Sequence, residues 1–257
     1  MIVLGFDTST PATAIALRLS DGSTVQARDD PAAGERPGHA TRLLPLAADL
    51  LAQAGLRFAD VERIAVGVGP GTFTGLRIGL ASARGLAQSL DAQLVSVSSL
   101  RALAAASEPE CAATGLLALI DARRGEAFAA AYLPAEDPSV DHRPLSRLSP
   151  PTELTPPRAL APQRFEEILD EVAAHDAEVS AWLAIGNGAT LYRDALHVLG
   201  IDVPADDSPL HRVSGEAICA LGAGGVAQEL DTVLPDYRRR PDAELALVHA
   251  AGAGARA

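Results

Sequence analysis

Apolar positions along this chain follow two periods, and the change from one to the other predicts its elements. Short solid or alternating runs, IVLGFD (2–7), ATAIALRL (12–19) and STVQAR (23–28), predict three strands, with Asp21-Gly22 as the hairpin turn between the last two. Pro31, Gly34, Pro37 and Gly38 mark a loop over 29–38. Helical spacing then takes over from Leu43 to Ala54 and stops at Gly55, with Pro45 placed near the first turn. A strand over 62–68, a glycine loop, a helix over 75–90, a strand over 93–97 and a helix from about 99 follow. The first hundred residues therefore read βββαβαβα.

The second half repeats this layout weakly. GLLALID (115–121) and EAFAAAYL (126–133) predict strand, turn and strand, with Arg123, Arg124 and Glu126 as a polar turn. Laid without gaps, DTSTPATAIALRL from Asp7 falls on DARRGEAFAAAYL from Asp121. Residues 134–162 hold eight prolines and predict an irregular edge or excursion. A helix over 163–174, a strand in AWLAIGNGA (181–189), a helix over 190–199 and a helix over 214–230 complete the order. Asp7 precedes Gly69-Pro70-Gly71 by 62 residues, and Asp121 precedes Gly186-Asn187-Gly188 by 65. Matching order and spacing point to an old duplication.

Composition narrows the function classes. The 257 residues, 48% hydrophobic, suffice for one large domain or two lobes. A net charge of −12 argues against unaided binding to nucleic acid or to an anionic membrane. Cys111 and Cys219 are too far apart in sequence to suggest a zinc or disulfide pattern. The N-terminal apolar run stops at Asp7, short for a signal peptide, and no run has the length of a membrane span, so a soluble, cytoplasmic protein is expected.

VGVGPGTFTGLRIG (66–79) is the densest motif. A strand, a glycine loop and a helix in that order can cradle an anion on the helix N-terminus. The known fingerprints fail here: a Walker loop needs a lysine and the chain has none, while G-x-G-x-x-G needs glycine where Thr72 or Thr74 stands. Those threonines could cap the helix instead. Spacing alone leaves an anion site and a purely structural turn equally open.

Two βββαβα halves with aspartates at their first hairpins fit an α/β, two-lobed actin/Hsp70/sugar-kinase-like (ribonuclease H-like) fold, each lobe a mixed sheet flanked by helices. GFDTST, HATRLLP, GVGPGTFTGLRIG, LIDARRGEAF and LPDYRRR together resemble the bacterial TsaB (YeaZ) family, densely over the first hundred residues and in patches beyond. The expected division is 1–104 with 214–234 as the first lobe, 105–213 as a degenerate second lobe, and 235–257 as a C-terminal tail whose last stretch, HAAGAGARA, is expected to be disordered. The resemblance implies a non-catalytic subunit that pairs with the catalytic TsaD protein and the TsaE ATPase in threonylcarbamoylation of adenosine 37 of tRNA. The tRNA would be met only through the complex, a homodimer is open in isolation, and no membrane is involved. The rival is an ATP-dependent sugar or acyl-phosphate kinase of the same fold. A zinc glycoprotease is disfavoured, because Ser99 and Leu103 fall where the catalytic paralogue carries its metal-binding histidines. No metal site and no cofactor of its own are expected.

Asp7 and Thr8, with Gly69, Gly71 and Thr72, fall where ATP-using relatives meet Mg²⁺ and phosphates. They are the candidates for residual ATP or ADP binding, although the glycine turn reads better as a relic that positions its helix. The apolar arc of the 43–54 helix spans roughly 200°, wider than one sheet face needs, so one edge is expected to face the partner. The partner candidates are His39, read as partly exposed, then Leu43, Leu46, Leu50, Arg77, Leu80 and Arg84, and the alternative edge is Leu44, Ala48 and Leu51. Arg238 and Arg239, beside Tyr237 and Arg240, form the one basic cluster and a possible contact to phosphates or carboxylates.

Overall fold

The computed structural model describes residues 1–32, 34–107, 114–134, 150–174 and 179–238. Its first sheet is built from β1 (Val3–Asp7), β2 (Thr13–Arg18), β3 (Thr24–Asp29), β4 (Arg63–Gly69) and β5 (Gln93–Ser98), in the order β3-β2-β1-β4-β5. The first three strands form an antiparallel meander, and β1, β4 and β5 run parallel. The second sheet joins β6 (Thr114–Arg123), β7 (Glu126–Leu133), β8 (Thr152–Glu153), β9 (Arg158–Leu160) and β10 (Ala181–Ile185), with β10-β6-β7 central and both short strands on β7. Among the described residues, β10 has one further parallel partner, a single bridge between Leu183 and Asp202.

Period-two patterning sorts the side chains into layers. On β1, Val3 enters the core between the sheets while Leu4 and Phe6 enter the outer core of the first sheet. On β7, Phe128, Ala130 and Tyr132 point inward, and Ala127, Ala129 and Ala131 point outward. The outer layer of the first sheet is α1 (His39–Gln53) and α2 (Phe73–Leu90). That of the second holds α4 (Glu166–Ala173), α5 (Asn187–Leu191) and α6 (Arg193–Val198). Between the sheets lie α3 (Ser99–Ala105) and α7 (Gly215–Gly224), whose Leu100, Leu103, Ile218 and Cys219 join both sheets into one core. Close approach of α7 requires Gly5, where a Cβ would come 2.6 Å from Cys219 Sγ. Burial pushes that thiol up to about 12, so it behaves as a small apolar group.

Several element boundaries differ from the sequence reading. Helix α1 begins at His39, four residues early, so Pro45 stands in its second turn rather than near the first. Proline there leaves the Thr41 carbonyl without its helical donor, and because both residues are exposed, water can supply one. The 190–199 helix is two short helices, α5 and α6, that meet at Tyr192. The 214–230 helix stops at Gly224, and Gln228 instead pairs with Leu94 on the edge of β5. The gapless match of Asp7 to Asp121 slips in register: Asp7 opposes Ala14 but Asp121 opposes Ala127, with a bulge before Arg123. Cys111, most of the proline-rich excursion and the tail from 239 lie outside the described residues.

Candidate functional site

The glycine turn is filled by the chain itself. β4 enters it at Gly69, whose φ of +103° no side chain adopts easily, and a cis Gly69-Pro70 bond follows. A Cβ on Gly71 would lie 2.4 Å from the Ser9 carbonyl oxygen, and one on Gly75 would lie 1.9 Å from that of Thr8. The Thr72 amide donates to the Ser9 carbonyl at 2.7 Å, and the Thr8 hydroxyl donates to the Gly75 carbonyl at 2.8 Å. The glycines therefore admit the β1–β2 turn against the start of α2. Thr72 occupies the N-cap of α2, but its hydroxyl makes no capping bond, contrary to the capping role expected for it, and Thr74 is already inside the helix and exposed.

Asp7 is 1% exposed, and both its oxygens have partners. One accepts from the amide and hydroxyl of Ser9 at 2.8 and 2.6 Å, and the other accepts from the Ser99 hydroxyl at 2.5 Å. A carboxylate so placed anchors three segments: the end of β1, the turn after it and the start of α3. Ser99 thus uses its hydroxyl on Asp7, and Leu103 is buried in the core between the sheets. Among the described residues no group of three or more His, Cys, Asp or Glu side chains could hold a metal ion.

The partner candidates divide differently from the expectation. His39 is buried at 3% exposure, with Nδ1 2.8 Å from the Thr13 hydroxyl, and is not a surface residue. Burial lowers its pKa, against the opposing pull of Asp7 and Asp29. Leu43, Leu50 and Leu80 are likewise core, and Leu46 is half-buried against it. The alternative edge is split as well: Leu51 is buried, while Leu44 is 46% exposed and Ala48 is exposed. The reason is the early start of α1, since the wide arc is a core stripe plus a separate ridge of Ala40, Leu44, Ala48 and Ala52 at four-residue intervals. Neighbouring α2 exposes Thr74, Ala81 and Gly85, with Ile78 half-buried. Together these small and apolar residues make an open two-helix face.

Arg77 and Arg84 serve the returning C-terminal segment. Arg84 donates to the Val233 carbonyl at 2.5 Å and reaches that of Asp231, beside the buried Val233. The Asp236 amide donates to the Val68 carbonyl at 2.8 Å. Tyr237 then stacks on Phe73 at 5.0 Å between ring centroids, and Arg77 lies 3.7 Å over the same ring and donates to the Tyr237 hydroxyl. Arg238 pairs with Asp236, while Arg239 lies outside the described residues. Residues 226–238 are therefore a strap across the edge of β5 and along α2. The sequence reading placed 214–234 with the first lobe but as a helix to 230, because the strap's anchors, Gln228 and Val233, carry no pattern of their own.

A protein-family model described as TsaD: tRNA N6-adenosine threonylcarbamoyltransferase matches residues 35–250. The tRNA threonylcarbamoyladenosine biosynthesis protein TsaB of Escherichia coli (strain K12) is 40% identical over 132 residues, which are 51% of this chain and 55% of that protein. The protein of the same name from Bacillus subtilis (strain 168) is 28% identical over 251 residues, 95% of this chain and 96% of that one. The match to the E. coli protein and its Haemophilus influenzae counterpart thus spans about half the length of each, 55% and 52%. Among solved structures, YeaZ from Pseudomonas aeruginosa superposes with a TM-score of 0.68 at 28% identity, over 92% of this chain and 99% of that one. With the paired sheets, the glycine turn closed on the β1–β2 turn and the span of the family match, the chain belongs to the TsaD family and, within it, to the TsaB (YeaZ) group.

Proposed function

We propose that this chain is a non-catalytic, cytoplasmic subunit of the machinery that installs threonylcarbamoyl on adenosine 37 of tRNA. In this reading it pairs with catalytic TsaD, works alongside the TsaE ATPase, and meets tRNA only within that assembly. One observation carries the reading: α1 and α2 present an open ridge of small and apolar residues centred on Leu44, exposed among the described residues. Small residues at four-residue spacing let another helix pair approach closely, and a central leucine supplies the apolar anchor. In isolation the same face is open to a second copy of the chain.

The reading also draws on the Asp7 network. Its carboxylate is occupied by Ser9 and Ser99, an arrangement suited to holding the lobes' first turn rather than to binding Mg²⁺ and ATP. No cofactor of its own is proposed. The test is size-exclusion chromatography of the chain mixed with TsaD, using Leu44→Glu and Ala48→Glu. Both variants should melt like the native chain and fail to co-elute with TsaD. Native-like co-elution would exclude this face, and steady ATP turnover by the chain alone would favour a kinase.

A further inference from the structure

Away from the glycine turn, a cavity of about 240 Å³ opens between the lobes. One wall is the β1–β2 turn at Thr10 with the end of β3 at Arg28 and Asp30. The other is α5 at Asn187 with the loop that carries Asp206 and Arg212. The walls are fastened from behind. Arg28 donates to both oxygens of Asp30 at 2.8 Å and to the Val213 carbonyl at 2.7 Å. Arg193 donates to the carbonyls of Val203 and Pro204 and to Asp206, at 2.8, 2.6 and 2.5 Å. His211 lies buried with one ring nitrogen near the Gly186 carbonyl and the other near that of Pro204. These contacts set the shape of the cavity and leave it unfilled. A site held this way loses little freedom when a ligand arrives.

Three donors on the lining remain without a partner in the described residues. Thr10 is only 8% exposed, yet its hydroxyl makes no hydrogen bond to the protein. The hydroxyl is not sealed in the core but open to the cavity, where it can donate to whatever enters. Asn187 accepts from the Asp121 amide through Oδ1 at 3.1 Å, which fixes the side chain and leaves its NH₂ end spare. Arg212 is exposed and carries no ion pair, whereas Asp30 and Asp206 are matched by Arg28 and Arg193. Asp206 is thus neutralised by Arg193 from outside the lining and Asp30 by Arg28 within it, which leaves Arg212 facing the cavity without a counter-ion.

We propose that this inter-lobe cavity binds a small molecule through an oxyanion, carboxylate or phosphate, held by Arg212, the Asn187 amide and the Thr10 hydroxyl. Charge-assisted bonds from a guanidinium to such oxygens are the strong kind. The cavity is smaller than the roughly 300 Å³ at which pockets for drug-sized ligands begin, and no Phe, Tyr or Trp lines it, so a nucleoside triphosphate does not fit the description. The site lies apart from the α1–α2 face, so its test does not depend on pairing with TsaD.

The test is calorimetric titration and thermal melting of the full chain with inorganic phosphate and with malonate, at constant ionic strength set by chloride. One or both should bind saturably and raise the melting temperature, and which one does so separates phosphate from carboxylate. Arg212→Gln should weaken that binding about tenfold or more while the unliganded protein melts as before, because its side chain is exposed and unpaired. Thr10→Val should weaken it as well. Saturable binding by neither probe, or native affinity in both variants, overturns the proposal. Displacement of the bound probe by ATP would identify a nucleotide cleft and overturn it equally.

Discussion

Gly75 and Gly85 share α2 and respond oppositely to a methyl group. At Gly75 a Cβ would press on the Thr8 carbonyl oxygen at 1.9 Å and on the Thr72 hydroxyl at 2.6 Å, both held by the turn. At Gly85 nothing lies within 4 Å. Gly75→Ala should therefore cost about 3 kcal/mol through overpacking. Gly85→Ala should gain about 1 kcal/mol, because alanine has the higher helix propensity and restricts the unfolded chain. Urea denaturation of the two variants checks this, and shifts of the same sign would contradict the close packing of Thr8 on α2. His39 makes a second test at this scale. Its folded pKa is lowered by burial, so the unfolded chain binds the proton more readily. The neutral ring's contribution to stability is whole above the ordinary value of 6.5 and is lost as the pH falls from there through the folded value. Melting temperatures of the native chain should drop between pH 7 and pH 5 more steeply than those of His39→Gln. Parallel slopes would show that other groups carry the acid sensitivity.

At the scale of elements, arginine does the fastening. Arg63 at the start of β4 donates through one nitrogen to the carbonyls of Gly222, Ala223 and Gly225, at 2.9, 2.8 and 3.1 Å, and through the others to Gln93 Oε1. It closes the C-terminus of α7, where the carbonyls have no helical donors and the dipole favours a cation. Arg63→Met keeps the aliphatic stem and should cost about 2 kcal/mol, since bonds to a charged donor are lost from a part-buried helix end. A denaturation midpoint unchanged by the substitution would mean that water caps the helix equally well. Strands and most helices were legible from periodicity, because β1, β6 and β7 each bury two faces and α2 buries one. What periodicity could not show was which edge of a wide apolar arc is core. That depended on where α1 begins, and its first turn, HATR, has a buried histidine in place of an apolar residue. The site was legible to a lesser degree: Asp7, Thr8 and the glycines stood out as candidates for an anion or nucleotide, but that they fill one another required coordinates. The cavity at Thr10 and Arg212 joins residues from opposite ends of the chain, with no local signal at all.

For the whole molecule, the decisive feature is that α7 belongs by sequence to the end of the chain and by packing to its beginning. The inner face of the first sheet, with Val3, Ala16 and Ala65, is covered by Ile218 and Cys219, and its edge by the strap around Gln228 and Val233. During translation, then, the N-terminal lobe is synthesised first but completed last. Until residues 215–238 leave the ribosome its strands carry a bare apolar face and an open β5 edge, a state prone to aggregation. A fragment of residues 1–105 should accordingly be insoluble or lack a cooperative melt, and it should gain one when 214–238 is restored through a short flexible linker. A fragment that melted cooperatively unaided would show that the lobe closes without waiting for its own C-terminus. The late arrival also reaches the outer layer, because α1 and α2 share a core with Val233, so their exposed face settles only after that residue has docked.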